Sequence, residues 1–166
     1  MRLLTSVFAW VAMPIVALDT YAADVASGNA MSIVRNGEQA SITGAPTNFV
    51  GAARIDPLFP VRTPSRVSAG YVTFQPGARS MWHTHPLGQT LVVTAGSGWV
   101  QEAGGEKHSI KPGDVIWTPP GVKHWHGATA EEPMVHFAIA EAQNGSVVTW
   151  MEKVTDSQYQ SNLSVD

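Results

Sequence analysis

The chain is 166 residues long, 44% hydrophobic and only 14% charged, with a formal net charge of −3 at pH 7 and no cysteine. That length suits one domain around one buried core, and six Trp and five Phe offer the apolar area that disordered chains lack. No run of Lys or Arg exists to track phosphates, which excludes nucleic acid as a partner, and the lack of Cys excludes thiol nucleophiles, iron–sulfur clusters, cysteine zinc sites and disulfides.

In chain order, the first predicted element is a secretory signal. Arg2 precedes an apolar stretch from Val7 to Leu18, and Thr20-Tyr21-Ala22-Ala23 places small residues for cleavage after Ala22. The stretch is too short to cross a bilayer comfortably, and Pro14 interrupts it. Removal of residues 1–22 would leave a periplasmic or secreted protein with no membrane attachment. Residues 23–45 are expected to form an N-terminal arm, with a strand around Ser32–Arg35 able to join a neighbour's sheet edge, and residues 46–166 to form the folded domain.

Turn signals then recur about every ten residues: Pro76-Gly77, Gly96-Ser97-Gly98, Gly104-Gly105, Pro112-Gly113, Pro120-Gly121 and Asn144-Gly145. Between them lie short runs rich in β-branched and aromatic residues, predicted as strands over Tyr71–Gln75, Leu91–Thr94, Gly98–Glu102, Asp114–Thr118, Met134–Ala140 and Val147–Trp150. Several carry apolar side chains on both faces, as strands between an outer layer and a closed interior must. An all-β barrel with an enclosed cavity is expected. Thr155 could cap one short terminal helix over Asp156–Ser161.

Five of the six histidines fall in three places: His83 and His85, His124 and His126, and His136. On a strand, i and i+2 share a face, so both pairs would point inward together. A single buried His is ordinarily a hydrogen-bonded core residue. Five in an apolar setting need more partners than a core supplies, and a metal bound by three neutral imidazoles would satisfy several at once. His108 sits in a polar hairpin and is assigned to the exposed surface without a role.

At these residues a resemblance emerges. Gly77, His83-Thr84-His85, Gln89 and Gly96 resemble the first cupin motif, and Gly113, Pro119, Gly121 and His124 the second, with a short gap between them. The resemblance implies a double-stranded β-helix of the jelly-roll type, with a divalent metal held by His83, His85, Gln89 and His124. Gln89 stands where cupins usually carry Glu, and Ala128 where the second motif closes with Asn. A neutral Gln ligand leaves a divalent ion its full charge, which favours Lewis-acid chemistry. The segments 49–59, 74–79, 82–89, 123–128 and 148–159 are further similar to a bacterial group that includes the manganese-dependent (R)-hydroxynitrile lyases. That similarity implies Mn²⁺, with Fe, Ni, Zn or Co as alternatives. It places two more histidines near the substrate, at His126 and His136, and puts a substrate-facing Gln of the known lyases at Ala140.

Cleaving a cyanohydrin to an aldehyde and HCN requires polarising the hydroxyl oxygen, removing its proton and stabilising departing cyanide. The resemblance assigns the first task to the metal and the other two to His126 and His136 as acid and base. Trp82 and Trp125 flank ligand histidines and should face away from the metal; Trp99 and Trp117 are expected in core packing. Val72, Phe74 and Leu91 are candidates for the pocket wall, Arg79 and Asp56 for an ion pair or rim contact, and Pro119-Pro120-Gly121 for a rigid turn aiming His124. The alternatives are a metal-dependent cupin dioxygenase or isomerase, and a non-catalytic periplasmic carrier of a metal or small ligand. A small-molecule substrate and a homodimer or homotetramer complete the expectation.

Overall fold

The computed structural model describes residues 30–161, so the expected signal at residues 1–22 lies outside the described part. Among the described residues there are 13 strands: β1 (Ile42–Thr43), β2 (Phe49–Val50), β3 (Ala53–Phe59), β4 (Val67–Phe74), β5 (Arg79–Ser80), β6 (His83–Thr84), β7 (Gln89–Gly96), β8 (Gly98–Glu102), β9 (Lys107–Ile110), β10 (Val115–Thr118), β11 (His124–Ala128), β12 (Met134–Glu141) and β13 (Thr149–Trp150). One four-residue helix, α1 (Asp156–Tyr159), follows.

Two antiparallel sheets form, as the jelly roll requires. The first, sheet A, runs β1-β3-β4-β12-β7-β10. In the second, sheet B, β11 is central: it pairs with β5 and β6 on one side and with β8 on the other, and β9 completes that edge. Every strand expected from the turn spacing is present; β4 and β7 run several residues longer because cross-strand pairing extends them past the local pattern, while β10 and β13 start later than expected. Sequence patterning missed β1, β2 and β5, which are too short to show a pattern, and β3 and β9, whose charged residues (Arg54, Asp56, Lys107) mask the apolar alternation.

Alternation decides what faces inward. On β7, Gln89, Leu91 and Val93 are buried while Thr90, Val92 and Thr94 lie half-buried on the outer face. Phe74, Val72, Val93, Val100 and Met134 gather in the interior, and the two small strands behind them, β5 and β11, approach so closely that only glycine fits at 127. A Cβ there would stand 2.5 Å from the Ala78 carbonyl oxygen.

A second cluster covers the outside of sheet B. Trp82, Trp125, Val154 and Tyr159 pack together with Trp99 against them, so both tryptophans beside ligand histidines do face away from the interior. Tyr159 donates its hydroxyl to the Ala128 carbonyl (2.9 Å), and the buried Lys107 donates to the Tyr159 carbonyl (2.6 Å) with its ammonium 3.9 Å from the Trp99 ring centre. These contacts replace the water that a buried cation loses. The C-terminal strap is thus tied to the back of β11, the strand that carries His124 and His126. Thr155 and Gln158 form a reciprocal capping box at α1, the expected cap, and the helix ends at Tyr159 rather than Ser161.

Four expectations are corrected. Arg79 and Asp56 do not meet: Arg79 points out of sheet B and pairs with Asp156 (2.6 Å), while Asp56 shares a face of β3 with Arg54 and pairs with it (2.8 Å). Trp117 is 57% exposed rather than in the core, because it sits on the outward parity of the edge strand β10. No strand forms at Ser32–Arg35; the first described strand is β1, paired with β3. His108 is exposed as expected, but it lies on a strand rather than in the hairpin turn. No helix among the described residues is long and apolar enough to cross a membrane.

Candidate metal centre

His83 and His124 are direct cross-strand partners on β6 and β11, so alternation turns both rings inward with centroids 4.2 Å apart. His85 lies just beyond β6, in the turn that Gly88 closes. Pro119, Pro120 and Gly121 form the expected turn, with Val122 N–H donating to the Pro119 carbonyl and Gly121 at φ +74°. Pro and Gly in those places suit a type II turn. The Gly121 N–H also donates to the His85 carbonyl (2.9 Å), which ties the two ligand-bearing loops together.

The ligand atoms of His83, His85 and His124 lie within 4.8 Å of one another. Each ring donates from Nδ1 to a backbone carbonyl: His83 to Met81 (2.9 Å), His85 to Val147 (2.6 Å) and His124 to Val122 (3.1 Å). All three Nε2 atoms therefore carry lone pairs, the tautomer that a metal needs. His124 Nε2 sits 3.0 Å from Gln89 Oε1, and two acceptors at that distance repel. Turning the Gln89 amide end for end would mend that pair alone. A shared cation mends it and also engages His85 Nε2, a buried atom with no hydrogen-bond partner. The donor set thus fits a divalent metal bound by three imidazoles and an amide oxygen.

Burial holds these rings neutral. Desolvation, reinforced by the neighbouring imidazoles, keeps His83 well below the ordinary histidine value and brings His124 to about 4; desolvation alone lowers His85. Neutral rings give up no proton when they bind an ion.

Beside this trio lie His126 and His136, with ring centroids 4.9 Å apart and perpendicular. His126 follows His124 on the inner face of β11 and is fixed by its backbone N–H, which donates to Ser80 Oγ (3.2 Å). His136 enters from β12 at a register shift between Val135 and His136 against β7, and such bulges re-aim side chains. Burial lowers His126 well below the ordinary value and brings His136 to about 4. His126 Nδ1 and both nitrogens of His136 are buried without hydrogen bonds. Phe74 lies within 5.8 Å of both rings, and Val72 and Leu91 are buried on the same inner faces. Past His136 the inner face of β4 and β12 narrows to small side chains, where Ala138 opposes Gly70 and Ala140 opposes Ser68.

Two neighbours of the site escaped the sequence reading. Trp150 packs on His83 (4.9 Å) because β13 pairs with β6, and Thr118 faces Gln89 across β10 and β7. Only register, which sequence parity cannot supply across strands, brings them there. Gly88 is the tightest local constraint. It sits at φ +82°, and a Cβ there would press on the Trp117 ring and stand 2.8 Å from the Thr118 carbonyl oxygen. Gly88→Ala is expected to cost about 1–3 kcal/mol in denaturant unfolding and to weaken metal binding in calorimetry by displacing Gln89.

Residues 70–140 match the Cupin domain family. A protein of Granulicella tundricola named (R)-mandelonitrile lyase is 57% identical over 129 residues, which span 78% of this chain and 98% of that protein. Among solved structures, a cupin-like protein from Thermotoga maritima superposes with a TM-score of 0.66 at 35% identity, over 78% of this chain and 96% of that one. A cupin-2 domain protein from Rhodospirillum rubrum gives a TM-score of 0.60 at 16% identity over 76% and 82%, a likeness of fold alone. With a relative matched along nearly its full length, and a family match spanning all five inward histidines, the chain belongs to the cupin family.

Proposed function

We propose that this protein is a metal-dependent hydroxynitrile lyase that cleaves cyanohydrins, with (R)-mandelonitrile as the concrete substrate. The observation that carries the reading is the pair of buried imidazoles beside a three-histidine group, with His126 Nδ1 and both nitrogens of His136 lacking hydrogen bonds. A site that only captured metal would have no use for two more inward histidines. The 57% identity to a protein named (R)-mandelonitrile lyase supports the same reaction.

His83, His85, His124 and Gln89 would hold the divalent ion, Mn²⁺ in this reading, which when bound supplies Lewis-acid polarisation of the substrate hydroxyl. The chain's own work is proton management. One of His126 and His136 accepts the hydroxyl proton as the C–C bond breaks and the aldehyde forms; the other holds the departing cyanide by a hydrogen bond from its N–H, and the accepted proton then passes to cyanide, so that HCN leaves and both rings are neutral again. Both rings begin neutral, so one is ready to accept and the other donates from its N–H. Phe74, Val72 and Leu91 wall the pocket against water, which strengthens these hydrogen bonds.

The test uses the full chain stripped of metal and reloaded with Mn²⁺, given racemic mandelonitrile at mildly acidic pH, where spontaneous decomposition is slow. Benzaldehyde release that requires the metal and consumes one enantiomer is expected. Release no faster than buffer from a chain carrying one Mn²⁺ would sink the lyase reading. Ala140 lies beside Gln89 in the β12–β7 register, where the known lyases carry Gln. Ala140→Gln adds an amide facing the substrate, and is expected to raise the rate of benzaldehyde release about tenfold.

A further inference from the structure

The four residues assigned to the ion are almost wholly buried: His83 and His124 are 1% exposed, His85 4% and Gln89 5%. An ion therefore needs a way in. Sheet A ends at β10 and sheet B at β9, so no backbone ladder spans the gap between those two edges. A cleft of about 130 Å³ lies there, walled by Val100, Ile116 and Thr118, with Glu102 and His108 at its rim and His124 among its lining residues.

Register explains why rim and floor belong together. His126 faces Val100 across β11 and β8, and Val100 faces His108 across β8 and β9. His108, Val100 and His126 thus share the inner face of one sheet, in a row that starts at the exposed edge. Glu102 is the direct partner of His124 in the same ladder. A carboxylate and an imidazole at the mouth, and an imidazole at the floor, are the donor types that Mn²⁺, Co²⁺ and their neighbours accept. The other end of the barrel, past Ser68 and Ala140, is flanked by Arg66 and Glu141 in an ion pair, with Arg62 nearby in sequence. The Glu141 carboxylate there is already matched by Arg66, whereas Glu102 places a carboxylate at the cleft.

We propose that this cleft is the route by which the divalent ion reaches the metal centre, with Glu102 and His108 as the residues that draw it in and pass it to His124. The inference rests on the metal-centre reading above, and makes a separate demand: these two residues set how fast the ion arrives, not where it stays.

The test follows Co²⁺ alone, mixed with the metal-free full chain, through quenching of tryptophan fluorescence; Trp150, 4.9 Å from His83, is a suitable reporter. Release is followed by competition with EDTA. In Glu102→Gln, association is expected to slow about two- to fivefold and to lose much of its dependence on salt. In His108→Phe the ring keeps its bulk but offers no nitrogen to pass the ion on, and association and release should slow by a common factor of about five, leaving Kd unmoved. Both positions are exposed, so far-ultraviolet circular dichroism and thermal unfolding should match the wild-type fold. Unchanged association and release in both variants would overturn the route while leaving the metal centre intact. A wild-type chain that binds no Co²⁺, or a His124→Ala chain that binds it equally well, would remove the centre and the route with it.

Discussion

Replacing His124 with Ala is expected to abolish stoichiometric Mn²⁺ binding and cyanohydrin cleavage together while leaving the chain folded. His124 is the hinge of the centre: it pairs with His83 across the sheet and opposes Gln89 at 3.0 Å. Without its ring the remaining donors are two imidazoles and an amide, and affinity should fall by at least about a hundredfold. The metal-free protein should change by less than about 2 kcal/mol, because the lost packing is offset by removing the facing lone pairs of His124 and Gln89. Thermal unfolding separates the two effects. At a thousandfold excess of Mn²⁺ over Kd, linkage adds about 4 kcal/mol to the wild-type protein, or about 10 °C in Tm. The variant should show almost no shift. An equal Mn²⁺-induced shift in both proteins would mean that the ion binds elsewhere.

The histidines were legible in the sequence for a physical reason. A period of two puts i and i+2 on one face, so His124 and His126 on β11 could be placed together before any strand partner was known, whereas His85 lies in the turn past β6 and joins His83 through that turn rather than through strand parity. The same parity put Trp82 and Trp125 outside, where both are found. Partners were not legible. Whether Arg79 meets Asp56 or Asp156 depends on which face of which sheet each occupies, and the C-terminal strap that holds Asp156 lies 77 residues along the chain. Trp117 misled because an aromatic residue predicts burial only if its strand has neighbours on that side, and β10 is an edge. His108 reads as an isolated surface histidine until β8 and β9 are set in register, after which it stands in line with Val100 and His126. Gln89 was found from the motif, but its conflict with His124 exists only in three dimensions.

His136→Leu is expected to make the protein more stable and nearly inactive. His136 is wholly buried, and neither ring nitrogen has a hydrogen bond, so the folded state carries unsatisfied polar atoms that the unfolded chain gives to water. Leucine of similar volume, among Phe74 and Val72, removes that penalty, and at pH 7 a gain of about 1–2 kcal/mol should appear in denaturant unfolding. The gain should grow as pH falls. Burial puts His136 at about 4, below the ordinary histidine value of 6.5. Between those values the unfolded chain binds a proton that the folded chain refuses, so the wild-type protein loses stability on acidification, by about 1.4 kcal/mol per pH unit from this group alone. Leucine has no such liability, and at pH 5 its advantage should be about 2 kcal/mol larger than at pH 7. Below about 4 the folded histidine also protonates and the difference stops growing. Activity should move the other way. Loss of an acid–base group costs about 10²–10⁴ in rate, with Mn²⁺ still bound, since His136 is not among the residues that hold the ion. A residue that weakens the fold and has no hydrogen bond inside it is retained for what it does to a bound molecule. A His136→Leu protein that kept both its metal and its turnover would show that His136 takes no part in the proton transfer.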